Sequence, residues 1–147
     1  SKYLGILDFV SNHVCPKISD SKFISTLATW QFSPDPASAH HAWVATVELL
    51  RKEGIEATDE TQLVVDELAA NAIVHAHTEF ELSIELWAHG LRIIVRDRSK
   101  LKPAIKYPDP LEESGRGLFL LDNVADDWGY HPTDSGKCIW ASIRLVA

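Results

Sequence analysis

The chain is short of what several protein classes require. Its 147 residues include only two cysteines, Cys15 and Cys138, far apart and without a metal-type spacing. That pattern indicates neither a disulfide scaffold nor a structural zinc site, and two small buried thiols fit a reducing cytoplasm better. No apolar run approaches the roughly 18 residues of a membrane span, so no membrane partner is expected. Positive charge is also scarce. Fourteen Lys and Arg stand against 21 Asp and Glu, a formal charge of −7, whereas direct nucleic-acid binding would need a basic face. The start, Ser1-Lys2-Tyr3, has neither a methionine nor a signal-peptide pattern and reads as a trimmed end. Repeats and low-complexity tracts are absent. The histidine pairs His40-His41 and His75-x-His77 have no cysteine or carboxylate to complete a zinc pattern.

What remains is ordinary for one globular domain. The apolar fraction is 46% and the charged fraction 24%, and the length suffices to bury a core without metal or disulfide staples. Leu4, Ile6, Leu7, Val10 and Val14 recur near helical spacing until Pro16, so residues 1–20 read as a short amphipathic helical extension. Residues 21–147 read as the domain itself. Phe23 to Phe32 is rich in Ile, Thr, Phe and Trp and predicts a strand. The turn Ser33-Pro-Asp-Pro-Ala37 opens a helix that runs to about Lys52 and stops near Gly54. Asp59 with Gln62 resembles a capping box, starting a second helix that continues to about Ala76.

Phe80, Leu82, Ile84 and Leu86 then alternate with Glu81, Ser83 and Glu85, the period of a half-buried strand. His89-Gly90 turns the chain into a returning strand through Leu91, Ile93 and Val95. From Ser99 to Ser114 there is no periodicity, and a loop that long inside a compact domain is usually functional. Helical spacing resumes from Gly117 to about Ala125. Trp128–His131 and Cys138–Val146 form a closing hairpin. The pattern is α+β: a two-layer sandwich with helices on one face of a mostly antiparallel, mixed sheet.

Three pieces carry chemistry. Glu67 and Asn71, four residues apart, share a helix face within an otherwise apolar run (Leu68, Ala69, Ala70, Ala72, Ile73, Val74). Buried polar groups need partners, and Asn71 offers a neutral oxygen to Mg²⁺, which takes few protein ligands. Asp97 ends a strand. Gly115 and Gly117, feeding a helix after the long loop, present successive backbone N–H groups to phosphate at a positive helix end. Together these pieces indicate an ATP site.

The ordered set Glu67-x-x-x-Asn71, Val95-Arg-Asp97, Gly115-x-Gly117-Leu118 and Gly136-Lys-x-x-Trp140 resembles the histidine-kinase-like ATPase superfamily, which includes gyrase and histidine kinases. Pro34-Asp-Pro-Ala37, Glu67-Leu-Ala-Ala-Asn-Ala72, Gly115-Arg-Gly-Leu118 and Ile139-Trp-Ala141 look like its anti-sigma-factor serine/threonine kinase branch, of actinobacterial type. The resemblance covers roughly Phe23 to Ala147.

It implies Glu67 as general base and Asn71 as the Mg²⁺ ligand. It implies Asp97 as acceptor of the adenine amine. Ser99, Gly115, Arg116, Gly117, Leu118 and Lys137 would complete the nucleotide site, with Ser99 standing where the family usually has glycine. The function implied is a cytoplasmic anti-sigma factor that spends ATP to phosphorylate a STAS-type anti-anti-sigma partner and otherwise holds a sigma factor, with homodimers a common arrangement. Two alternatives stand beside it. One is a kinase-inactive module of the same fold that sequesters its partner. The other is a regulatory ATPase domain cut from a larger phosphatase or sensor.

Overall fold

The computed structural model describes residues 22–100 and 117–145, and for 117–120 the backbone only. The expected N-terminal helix and most of the Ser99–Ser114 loop lie outside the described residues. The first half runs β1 (Phe23–Phe32), α1 (Ala37–Lys52), α2 (Asp59–Ala70) and a π-helical stretch (Asn71–Ala76). The second half runs β2 (Phe80–Trp87), β3 (Gly90–Asp97), α3 (Gly117–Val124), β4 (Asp127–Thr133) and β5 (Gly136–Arg144).

Local chemistry sets these boundaries. The Ala37 N–H donates to Asp35 Oδ1 at 2.8 Å, satisfying an orphan amide where Pro36 has no capping side chain. Arg51 and Lys52 occupy the negative end of α1. Gly54 takes φ +70°, and its N–H donates to the Arg51 carbonyl, the left-handed stop that glycine adopts without a Cβ penalty. The cap of α2 is Thr58, one residue earlier than the sequence suggests. Its Oγ1 accepts the Thr61 N–H at 3.1 Å, while Asp59 and Glu60 fill the first turn.

The strands form one sheet in the order β1-β2-β3-β5-β4. All four pairings are antiparallel, so the expected mixed sheet is antiparallel throughout among the described residues. Each turn or crossover returns the chain against its neighbour, leaving no parallel pair. Leu82, Ile84, Leu91, Ile93, Val95, Ile139 and Ala141 meet Val64, Val65, Leu68 and Ala72 in the main core. Burying each Leu, Ile or Val among them contributes about 1.5–3 kcal/mol. Trp128 is buried in the same core, while Trp87 and Trp140 are buried on the opposite sheet face.

Two sequence expectations fail on that opposite face. Ser83 and Glu85, whose alternation pointed to solvent, are buried. Glu85 Oε1 instead accepts the Trp87 Nε1–H at 3.0 Å. Cys138 is buried but is not a thiol: it is disulfide-bonded.

Candidate active site

The site begins where α2 changes its winding. Asn71 donates its backbone N–H toward the Glu67 and Leu68 carbonyls, and from there the helix widens into the π-helical stretch. Each residue of a π-helix advances less around the axis, so the face buried by α2 turns away. Val74, expected inside, is 51% exposed, and His75 and His77 are also exposed. Single-turn π insertions are frequent at functional sites. His77, at φ 55°, ends the stretch in the left-handed region. Just beyond it, Thr78 Oγ1 accepts the Arg98 N–H at 3.1 Å, tying the helix exit to the residue after Asp97.

Asn71 is buried, and among the described residues its Oδ1 has no hydrogen-bond partner. An unpaired buried oxygen costs about 1–3 kcal/mol. A hard cation that accepts one neutral protein oxygen would satisfy it, so the residue fits Mg²⁺. One turn earlier, Glu67 is half-buried. Burial pushes its carboxyl above the ordinary carboxylate range, and the neighbouring Asp66 charge pushes it further. Burial raises Asp66 as well, opposed by His40 on α1. The sequence reading passed over Asp66 and weighed His40 only as a zinc ligand. Their signal was Asp66-Glu67 as adjacent carboxylates on a mostly apolar helix.

Asp97 and Lys137 face each other across the β3–β5 ladder. Lys137 Nζ lies 2.9 Å from Asp97 Oδ2, and both side chains are almost fully buried. The Ser99 N–H donates to Asp97 Oδ1 at 2.8 Å. Each carboxylate oxygen therefore has a partner, with one lone pair left on each for a further donor. This buried ion pair was not foreseen, although placing Asp97 at the end of β3 and Lys137 at the start of β5 would have suggested it. Gly136 permits the register: a Cβ there would run into the Asp97 carbonyl oxygen and Arg98 Cα.

The elements carrying these residues converge. α2 packs over β3 and β5, the π-helical stretch touches β3, and α3 packs on α2. Gly117 and Leu118 form the first turn of α3, while Gly115 and Arg116 lie outside the described residues. A shallow cavity of about 180 Å³ opens beside Asp97, lined also by Phe80, Glu81, Arg96 and Arg98. A larger one, about 400 Å³, lies at the other end of α2 and β5, near Thr58, Thr61 and Arg144, and holds none of the candidate residues. Among the described residues no three His, Cys, Asp or Glu side chains cluster as a metal centre.

A fold with one open antiparallel sheet under helices and this set of residues defines a class. The histidine kinase-like ATPase domain model matches residues 32–143, more than half of the chain. The chain therefore belongs to the histidine kinase-like ATPase domain family. No curated protein matches it by sequence. Among solved structures it is similar to the RsbU and RsbW domains of Rv1364c from Mycobacterium tuberculosis, with a TM-score of 0.58 and 15% identity. The alignment covers 80% of this chain and 32% of that one. At that identity the likeness speaks for the fold, and this chain spans about a third of the relative's length. No helix among the described residues is long and apolar enough to cross a membrane.

Proposed function

We propose that this chain is an ATP-dependent serine/threonine protein kinase of the anti-sigma type, acting on a small STAS-type anti-anti-sigma partner. In this reading it otherwise holds a sigma factor. The observation that carries the proposal is Glu67, half-buried with a raised carboxyl, one helical turn ahead of the buried and unpartnered Asn71 Oδ1. Those are the two protein functions phosphoryl transfer needs at this point: a proton acceptor and a single neutral oxygen beside the phosphates. Rv1364c contains an RsbW domain of similar fold, and that likeness supports the partner-switching role proposed here.

Glu67 takes the proton from the target Ser or Thr hydroxyl as its oxygen attacks the terminal phosphorus of ATP. The bond to the bridging oxygen breaks, and ADP leaves with that electron pair. Mg²⁺, held on the protein side by Asn71 Oδ1, supplies charge neutralisation on the phosphates when bound. Backbone N–H groups of Gly115, Arg116, Gly117 and Leu118 would cradle those phosphates. Asp97, oriented by Lys137 and the Ser99 N–H, offers its remaining lone pairs to the exocyclic amine of adenine. The raised carboxyl suits the role, since a stronger base receives the proton more readily once ionised.

Glu67→Ala should leave ATP affinity within a few-fold by calorimetry. It should lower ³²P transfer to a STAS-domain substrate by ~10²–10⁴-fold. Transfer at the parental rate would remove Glu67 as the base.

A second reading has its own support. Asp97 is already engaged by Lys137, and Ser99 replaces the usual glycine beside it, as a partner-sequestering module with weak nucleotide binding would show. Absence of Mg-ATP binding in the parental protein, with partner binding intact, would select that reading.

A further inference from the structure

The Asp97–Lys137 pair is incomplete on its cationic side. An ammonium carries three N–H donors, and the Lys137 side chain is 3% exposed. Among the described residues its Nζ has a single hydrogen-bond or ion-pair partner, Asp97 Oδ2 at 2.9 Å. Two donors of a buried cation are thus left without an acceptor. Val95 and Ile139, the next residues on the same face of β3 and β5, are apolar and buried, and they offer none. Unmet donors in such a setting are costly, more so when the group is charged.

Asp97 is unfilled in the complementary sense. Its Oδ2 accepts from Lys137 and its Oδ1 accepts the Ser99 N–H at 2.8 Å, which leaves one lone pair on each oxygen. Strand register holds the two side chains together, since Asp97 and Lys137 are direct partners on β3 and β5. The pair therefore presents an acceptor and a donor side by side, out of water.

We propose that Lys137 reads the nucleotide base, its Nζ–H donating to N1 of adenine while Asp97 accepts from the 6-amino group. This assignment rests on the ATP reading and gives Lys137 a specificity-determining contact of its own, beyond orienting Asp97. Adenine carries an N–H donor beside a ring acceptor on that edge, the exact complement of an adjacent acceptor and donor. Hypoxanthine and guanine carry the opposite order, the acceptor O6 beside the donor N1–H. Set in the same place, O6 faces the carboxylate and N1–H faces the ammonium, so both contacts turn repulsive. A hydroxyl or a water can rotate to suit either base. An ammonium has donors only, so it fixes the choice.

Calorimetry on the full chain with Mg²⁺ should compare ATP with 1-deaza-ATP, in which a carbon replaces N1. The analogue should bind roughly 10–100-fold more weakly, the effect of leaving a charged donor unmet. Inosine triphosphate should bind at least as weakly as that analogue. In Lys137→Met with Asp97→Asn, ATP and 1-deaza-ATP should bind within a few-fold of each other. Equal affinity of the parental chain for ATP and 1-deaza-ATP, or for ATP and inosine triphosphate, would overturn the inference and leave the ATP site standing. A preference for ATP over 1-deaza-ATP that persists in the double variant would assign N1 to another donor and overturn it as well. Failure of every nucleotide to bind would remove the ATP reading itself, and this inference with it. The analogue comparison is made on the parental chain, so a poorly folding variant does not leave the proposal untested.

Discussion

The two faces of the sheet are built from different materials, and the outer one is less evenly buried, with the Glu81 and Arg96 side chains about a third exposed. The inner face is aliphatic, with one ion pair, Asp97–Lys137, at the end that meets the site. The outer face is mixed. Thr29 bonds Ser83 at 3.0 Å, Arg96 reaches Glu81 and Ser83 at 3.3 Å, and Arg92 lies between two tryptophans. An aliphatic face can be sealed by any helix with a matching stripe. A face of hydrogen-bonded and stacked groups is specific, because each polar atom is costly unless its partner is present. The inner face is thus a general apolar core, and the outer face is the more specifically built of the two.

The largest expected effect tests the one charged feature of the aliphatic face. Lys137→Met leaves the Asp97 carboxylate buried and unpaired, and should cost about 3–5 kcal/mol in urea unfolding. Lys137→Met with Asp97→Asn should recover most of that loss. If the single variant costs under about 1 kcal/mol, the pair is solvated like a surface salt bridge, and the inner face is less dry at this end than its geometry indicates.

Ile93 and Ile94 make the sharpest internal comparison: they are neighbours, both fully buried, pointing to opposite faces. Ile93→Ala should cost about 2–5 kcal/mol in urea unfolding, as a cavity in the aliphatic core does. Ile94→Ala, equally buried on the outer face, should fall in the same range. A cost near the ~1 kcal/mol of an ordinary substitution for Ile94→Ala alone would mean that the outer face is packed less tightly than the inner one.

These faces also divide what the sequence reveals. Strict alternation of Leu82 and Ile84 with polar neighbours, and the 3.6-residue spacing from Val64 to Leu68, report the inner face directly. β1 at Phe23–Phe32 and α1 at Ala37–Lys52 were legible for the same reason, each having local stop signals. The outer face was not legible. Glu85 and Ser83 look like solvent-facing residues, because strand alternation does not record the Trp87 and Thr29 side chains that they bond. The π-helical stretch was hidden too, because Asn71 to Ala76 fits either winding and tertiary packing chooses between them. At the site, residue types announced Glu67 and Asn71. The Asp97–Lys137 pair depends on strand register, which motif spacing does not contain.

The smallest expected effect concerns the helix lying over the inner face. Asp66 and Glu67 both have carboxyls raised chiefly by burial. The native state therefore holds their protons to higher pH than the unfolded chain, whose values stay near 3.8 for Asp and 4.5 for Glu. Between those values and the raised native ones, the folded protein binds more protons, so stability falls as pH rises through that window. Below the window both states are protonated and the cost vanishes; above it the cost is present in full. Asp66→Asn and Glu67→Gln should each remove part of this slope. Each should match the parent near pH 3, below both unfolded values, and exceed its stability at pH 7, in urea titrations repeated across that range. Asp66→Asn should also lower the Glu67 carboxyl toward its ordinary value, moving the acid limb of phosphoryl transfer to lower pH. An unchanged limb, with the stability slope intact, would make Glu67 an ordinary solvated carboxylate and remove the burial that distinguishes it as a base.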